Sequence, residues 1–269
     1  MKVFVYDNKE KDAGGICLKK LLEVLSAYGV EYQMLFDDDL LLDACADAVF
    51  TIGGDGTILW LTEFANKNSI PIVGINMGKL GFLSEFERAE VEEAVKLLVD
   101  GQLKRDERIT LKVSVGNVVC HSLNDAYIQR VYHKEVGCMT ADILVDIDGA
   151  TTEKIKGDGA VICTATGSTA YSLSAGGPII APNVDAFAVT PIAAHALNKR
   201  PIVCSADSIC TFEIIGKAHC CLFVDGRFIA EVKKGDVITI QKAENKTVFL
   251  RKKDFNFFNR LTEKLKDKV

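Results

Sequence analysis

Roughly the first hundred residues alternate between short apolar runs and stretches of helical spacing, and this alternation is the strongest constraint on the fold. Val3 to Tyr6 is a short apolar run. Ile16 to Tyr28 carries Leu18, Leu21, Leu22 and Leu25 at helical spacing, and Gly29 fits a helix stop. Val30 to Leu35 and Ala48 to Ile52 read as strands, Ile58 to Ala65 as a helix and Ile70 to Ile75 as a strand. Val91, Ala94, Val95 and Leu98 mark a further helix before Gly101. Strand–helix alternation at this spacing predicts an α/β domain with a parallel sheet.

After about residue 105 the texture is β only. Ile109 to Val115 and Val118 to Leu123 flank Gly116-Asn117, a hairpin signal. Ile143, Val145 and Ile147 alternate toward the turn residues Asp148-Gly149. Thr211 to Ile215, Cys221 to Val224 and Val237 to Ile240 continue the pattern, and Phe257 to Lys268 reads as a charged amphipathic helix. The expected fold class is α/β plus β. An α/β nucleotide-binding domain spans 1–104 with the C-terminal helix 255–269, and a β-rich domain spans 105–254.

Composition narrows the function. The chain has 269 residues, 48% hydrophobic, with a net charge of −5. That balance supplies a large core but no overall basic footprint for nucleic acid or an anionic membrane. No apolar run approaches the ~18 residues of a membrane span. Nine cysteines without a CxxC pair predict buried free thiols in a reducing, cytoplasmic setting. The four histidines, His121, His133, His195 and His219, show no i, i+4 pairing, so no histidine metal site is expected. Trp60 reads as core, and Asp37-Asp38-Asp39 as a polar loop or helix start.

The sharpest local signal is Gly53-Gly54-Asp55-Gly56-Thr57, directly after a buried-strand pattern and before a helix. Glycines let the backbone approach a ligand closely, and the N–H groups of a following helix N-terminus suit a phosphate. A lone carboxylate there is costly beside phosphate unless it meets a metal, orients a hydroxyl or accepts a proton. The bland alternative is a tight turn with Asp55 as a helix cap. The second signal runs from Gly157 to Pro178, with eight Ser, Thr or Gly residues between Thr166 and Gly177, plus Tyr171. It offers hydroxyl and backbone hydrogen bonds and an aromatic face for a base. A surface loop followed by a closely packed small-residue helix reads the same residues. No GxGxxG follows the first strand. Gly74 to Lys79 is one residue short of a P-loop and lacks its Ser or Thr.

Five blocks together resemble the NAD kinase family: Gly53 to Thr57; Gly74 to Leu83; Leu123-Asn124-Asp125; Gly157 to Pro178, with Ala194 to Pro201 behind it; and Val224-Asp225-Gly226. The first alone is shared with phosphofructokinases and lipid kinases. The resemblance implies an N-terminal α/β domain and a C-terminal β-sandwich, with the active site between them and the last helix returning to the first domain. It implies a cytoplasmic homo-oligomer, a tetramer or dimer, that uses ATP with Mg²⁺ or another divalent metal and takes NAD as substrate. By position, Asp55 would be the catalytic residue, a general base or orienting group at the ribose hydroxyl. Gly53, Gly54, Gly56, Thr57 and Leu59 would line the phosphate region, and Phe82 would lie against adenine. Asn124, Thr169 and Ala170 would contact adenine, and Asp125 a ribose. Asp158, Tyr171 and Ser174 would serve the nicotinamide end and Asp225 the nearby ribose, with Lys156 and Thr166 in the same binding block.

Three positions depart from the family pattern. Asp125 stands where Glu is usual and is one methylene shorter. Ala165 replaces the Pro of a Thr-Pro-Thr-Gly turn. Lys156 stands where Arg often precedes Gly-Asp-Gly, which loses bidentate phosphate recognition. A lipid or sugar kinase sharing the glycine loop, and a non-catalytic NAD(H)-binding regulator, remain as rival readings.

Overall fold

The computed structural model describes residues 1–41, 43–131, 139–196 and 198–266. His133, Cys138, Leu197 and Lys268 therefore lie outside the described residues. The chain divides into two compact units, Met1–Arg108 with Asn245–Val269, and Ile109–Glu244.

The first unit contains strands β1 (Lys2–Asp7), β2 (Glu31–Leu35), β3 (Ala48–Gly53), β4 (Ile72–Asn76), β5 (Phe86–Glu87) and β6 (Lys104–Arg108), with helices α1 (Ile16–Ala27), α2 (Asp55–Lys67) and α3 (Val91–Val99). The strand Thr247–Arg251 and the helix Phe257–Lys266 join it from the end of the chain. The sheet order is β2-β1-β3-β4, then Thr247–Arg251, then β6, with β5 on β4. Pairing is parallel from β2 to Thr247–Arg251, and β6 runs antiparallel to that strand. β3 and β4 are buried at every position, as a central parallel strand covered on both faces must be. α1 contributes Cys17, Leu21, Val24 and Leu25 to the core, and α3 contributes Val91, Ala94, Val95 and Leu98. The expected domain break at 104/105 falls at the start of β6, and Thr247–Arg251 also pairs in the first sheet. β6 is built of charged residues, Thr247–Arg251 is mostly apolar, and the two pair with each other across about 140 residues, so local texture does not reveal the sheet they join.

The second unit contains β7 (Leu111–Val115), β8 (Val118–Ser122), β9 (Asp125–Arg130), β10 (Ala141–Ile147), β11 (Ala150–Gly157), β12 (Gly159–Thr164), β13 (Ala186–Ile192), β14 (Ile202–Ser205), β15 (Cys210–Ile214), β16 (Cys220–Val224), β17 (Arg227–Val232) and β18 (Val237–Lys242), with a short helix α4 (Tyr171–Ser174). They form two six-stranded antiparallel sheets, β11-β10-β15-β18-β7-β8 and β14-β13-β12-β9-β16-β17. Ile143, Val145, Phe212 and Ile238 from the first sheet share one core with Ile128, Ile162, Phe187 and Leu222 from the second. The unit is a β-sandwich. Ala141, Ile143 and Val145 on β10 face that core while Asp142, Leu144 and Asp146 do not, which is the period-two pattern of the sequence. The hairpin turns also obey local chemistry. Asp148 and Gly149 both have positive φ (53° and 78°), as do Asp225 and Gly226 (47° and 77°), the requirement of a two-residue hairpin turn.

Trp60 is not core. It sits 44% exposed on α2, and its indole N–H donates to Asp37 Oδ1 at 3.0 Å. A lone aromatic on an amphipathic helix cannot be assigned a face from its flanks alone. Eight described cysteines are free thiols. Six are buried, Cys204 is half-buried and Cys45 is exposed, so the expectation of burial fails at Cys45.

Candidate functional site

The five sequence blocks gather into two clusters, one in each unit. In the first unit, β3 ends at Gly53 and α2 begins at Asp55, with Gly54 at the N-cap position. A Cβ on Gly53 would collide with the Thr57 side chain, so the tight turn requires glycine. Thr57 Oγ1 is turned inward, where it accepts from Asn8 Nδ2 at 3.0 Å and Gly54 N at 3.4 Å. Gly56 is exposed and Leu59 half-buried on the same helix.

Asp55 does not cap its own helix, which removes the bland reading of that residue. Its carboxylate reaches the Gly74 to Leu83 block instead. Oδ2 accepts from Phe82 N at 2.7 Å, and Oδ1 from Leu83 N at 3.2 Å, Ser84 N at 3.3 Å and Ser84 Oγ at 3.3 Å. A Cβ on Gly81 would run into this carboxylate, and a Cβ on Gly74 would meet Ile58 and the Ser84 backbone. The glycines of the second block thus allow the turn to close on Asp55. Phe82 is half-buried, its ring centroid 6.1 Å from that of Phe257.

Motif reasoning missed what lies behind this turn. Arg251 is fully buried. It donates to Asp106 Oδ2 (2.6 Å), Glu85 Oε2 (3.1 Å) and the Phe82 carbonyl (3.1 Å). Arg260 Nη1 donates to the carbonyls of Gly81 (2.9 Å) and Ser84 (3.4 Å). Burial pushes the Glu85 carboxyl up, against the opposing pull of Arg251. Burial also acts on Asp106, but the guanidinium groups of Arg108 and Arg251 outweigh it and hold its carboxyl below the usual range. Removing one partner from such a buried pair costs about 3–5 kcal/mol.

In the second unit, Asp225 organises the Leu123-Asn124-Asp125 turn. Its carboxylate accepts from Ser122 Oγ (2.7 Å), Leu123 N (2.9 Å), Asn124 N (2.9 Å) and Asp125 N (3.2 Å). The same turn is tied to the Gly157 to Pro178 block. Thr164 Oγ1 donates to the Leu123 carbonyl at 2.6 Å, Thr164 N donates to the Asn124 carbonyl at 2.9 Å, and a Cβ on Gly167 would collide with the Asn124 backbone. Thr166 is buried, whereas Thr169, Ala170 and Tyr171 are half-buried and Ser174 is exposed. The small-residue stretch is a 3₁₀ turn (Thr166–Thr169) followed by one turn of helix. Lys156 is exposed on β11, and its carbonyl accepts from His195 N at 2.9 Å, which gives His195 a backbone support role.

Asp125 is buried beside Asp225. Burial, followed by the charge of Asp225, pushes its carboxyl up to about 7, although the Tyr171 backbone N–H pulls the other way. Burial also raises the Asp225 carboxyl, with its four hydrogen bonds opposing. Asp158 is paired with Arg130, whose Nε and Nη2 lie 2.8 and 2.7 Å from Oδ1. The Tyr171 ring stands edge-on to Tyr127 (4.8 Å), and Tyr127 stacks on Phe223 (4.9 Å). Burial first, then Asp125 and Asp158, raise the Tyr171 hydroxyl. Arg130 and Tyr127 had no motif to announce them. Ala165 has φ −56°, a value proline adopts. Ala165→Pro is expected to stabilise the protein by about 0.4–1 kcal/mol with activity retained, measured by urea unfolding; a loss of stability would contradict this.

Most of the chain is similar to known proteins. The ATP-NAD kinase N-terminal domain family matches residues 36–103, and the ATP-NAD kinase C-terminal domain family matches 123–252. A NAD kinase from Caldicellulosiruptor bescii is 33% identical over 99% of this chain and 100% of its own length. The chain belongs to the NAD kinase family. A second NAD kinase, from Geotalea daltonii, is 38% identical over 82% of this chain and 78% of its own length. The crystal structure of a NAD kinase from Archaeoglobus fulgidus in complex with ATP has a TM-score of 0.80 at 26% identity, with full coverage of both chains. Yeast NADH kinase complexed with NADH shares the fold, with a TM-score of 0.85 at 24% identity over 100% of this chain and 88% of that chain. The lipid-kinase and sugar-kinase readings are not favoured by these NAD kinase matches. No helix among the described residues is long and apolar enough to cross a membrane.

Proposed function

We propose that the protein transfers the γ-phosphoryl group of ATP to the 2′-hydroxyl of the adenosine ribose of NAD, giving NADP and ADP. The observation that carries this reading is Asp55. In a NAD kinase family chain, a carboxylate at a glycine turn is fixed by four hydrogen bonds from residues 82–84. Phosphoryl transfer needs positioning and charge neutralisation more than covalent catalysis. Asp55 orients the ribose hydroxyl and accepts its proton as the new P–O bond forms and the β,γ-bridging P–O bond breaks. The glycine turn and the N-terminus of α2 favour anionic oxygens. The divalent ion would enter with ATP and neutralise charge on its phosphates.

In this reading Asn124, Thr169 and Ala170 contact adenine, and Asp158, Tyr171 and Ser174 serve the nicotinamide end. Asp125 and Asp225 serve the ribose positions, and the Asp225 carboxylate also holds the 122–125 turn. Tyr171→Ala is expected to raise the KM for NAD by about two- to tenfold, from the loss of aromatic contact, and to change the KM for ATP less. Equal effects on both substrates would contradict the placement of Tyr171. The same reading includes a cytoplasmic homo-oligomer, dimer or tetramer, which light scattering of the purified protein tests. The activity is tested by incubating the protein with NAD, ATP and Mg²⁺ and reading NADP with an NADP-specific dehydrogenase. Absence of NADP with every donor and metal tried would overturn it.

A further inference from the structure

The turn that holds Asp55 is gripped from both sides by the same peptide groups. In the peptide joining Gly81 and Phe82, the carbonyl accepts from Arg260 Nη1 at 2.9 Å and the N–H donates to Asp55 Oδ2 at 2.7 Å. In the peptide joining Phe82 and Leu83, the carbonyl accepts from Arg251 Nη2 at 3.1 Å and the N–H donates to Asp55 Oδ1 at 3.2 Å. Each guanidinium thus faces the Asp55 carboxylate through one polarised peptide plane. A cation on the carbonyl strengthens the opposite N–H as a donor. The guanidinium groups are themselves fixed. Arg251 is anchored by Asp106 and Glu85 and lies 4.2 Å from the Phe255 ring centroid, and Arg260 lies 5.9 Å from the same ring.

We propose that Arg251 and Arg260 are positioning residues for phosphoryl transfer, setting the Asp55 carboxylate through the 81/82 and 82/83 peptides. This rests on the reading of Asp55 as the group at the reacting hydroxyl. It assigns the last strand and helix a role in turnover beyond completing the first unit's sheet.

Arg260 is the residue to test, because Arg251 is fully buried beside Glu85 and its loss threatens folding. Arg260→Gln is expected to lower kcat about tenfold, the scale of coupling within one hydrogen-bond network, with both KM values within about threefold and the thermal midpoint near wild type. Arg260→Lys, which keeps one cationic donor for the Gly81 carbonyl, is expected to recover part of the loss. In an Asp55→Asn background, Arg260→Gln is expected to change kcat by less than about twofold, because the carboxylate it positions is gone. A wild-type kcat in Arg260→Gln, or the same loss in both backgrounds, would overturn the proposal while leaving the role of Asp55 intact. A wild-type kcat in Asp55→Asn alone would instead remove the reading on which the proposal rests.

Discussion

Asp55→Asn is expected to lower kcat by at least about 100-fold while NAD affinity changes by less than roughly tenfold. A positioned general base contributes about 10²–10⁴-fold to rate, and the amide is nearly isosteric with the carboxylate. The amide keeps one acceptor oxygen, so it can hold the Leu83 and Ser84 donors or the Phe82 N–H but not both. Steady-state turnover paired with calorimetric NAD binding separates the two effects. Normal turnover in the variant would reduce Asp55 to a clamp on the 81–84 turn. Binding without turnover in the wild type as well as the variant would favour a regulator that holds NAD(H) without phosphorylating it.

Asp125→Asn is expected to make the protein more stable at pH 8 than the wild type, with the difference shrinking toward pH 4. Burial and the neighbouring Asp225 raise the Asp125 carboxyl from 3.8 to about 7 in the folded protein. Between those values the native state holds a proton that the unfolded chain has released. Stability therefore falls as pH rises from about 4 to 7 and is level above that range. The asparagine variant lacks this dependence. The full shift corresponds to on the order of 4 kcal/mol at pH 8, a ceiling because the new amide must find partners of its own. Urea unfolding at pH 4.5, 6 and 8 reads the effect. A difference independent of pH, or a variant less stable at pH 8 than at pH 4.5 relative to wild type, would contradict it. The result also bears on the departure from glutamate at this position, since a shorter acid at a buried site cannot move its charge away from Asp225.

The sequence showed those parts of the site that local chemistry dictates. Gly53 to Thr57 was legible because glycines follow a fully buried strand. Asp148-Gly149 is legible as a turn because Asp and Gly tolerate positive φ, whereas the equivalent turn at Asp225-Gly226 is found only in the structure. The rest depends on distance along the chain. Arg251 meets Asp106 and Glu85 across 145 and 166 residues, and its charge gave no hint that the side chain would be fully buried. Asp225 reads as a ribose ligand by family position, yet its carboxylate is engaged by a turn about 100 residues earlier. β12 was absorbed into the Gly157 to Pro178 block because its strand residues, Gly159 to Thr164, sit among glycines and small side chains. Its Cys163 clusters with Ile180 and with Ala186 and Ala188 of the neighbouring strand β13, a grouping no local pattern announces. The exposed position of Trp60 has a related cause: its partner, Asp37, lies in a separate acidic segment.

In the proposed reaction phosphate moves from ATP to one particular oxygen of NAD. The most direct test is ³¹P and proton NMR of the reaction products from NAD, ATP and Mg²⁺. The expected product is one new phosphomonoester coupled to the adenosine ribose H2′, formed in step with ADP. Phosphate on a different hydroxyl, or ADP and free phosphate with NAD unchanged, would contradict it.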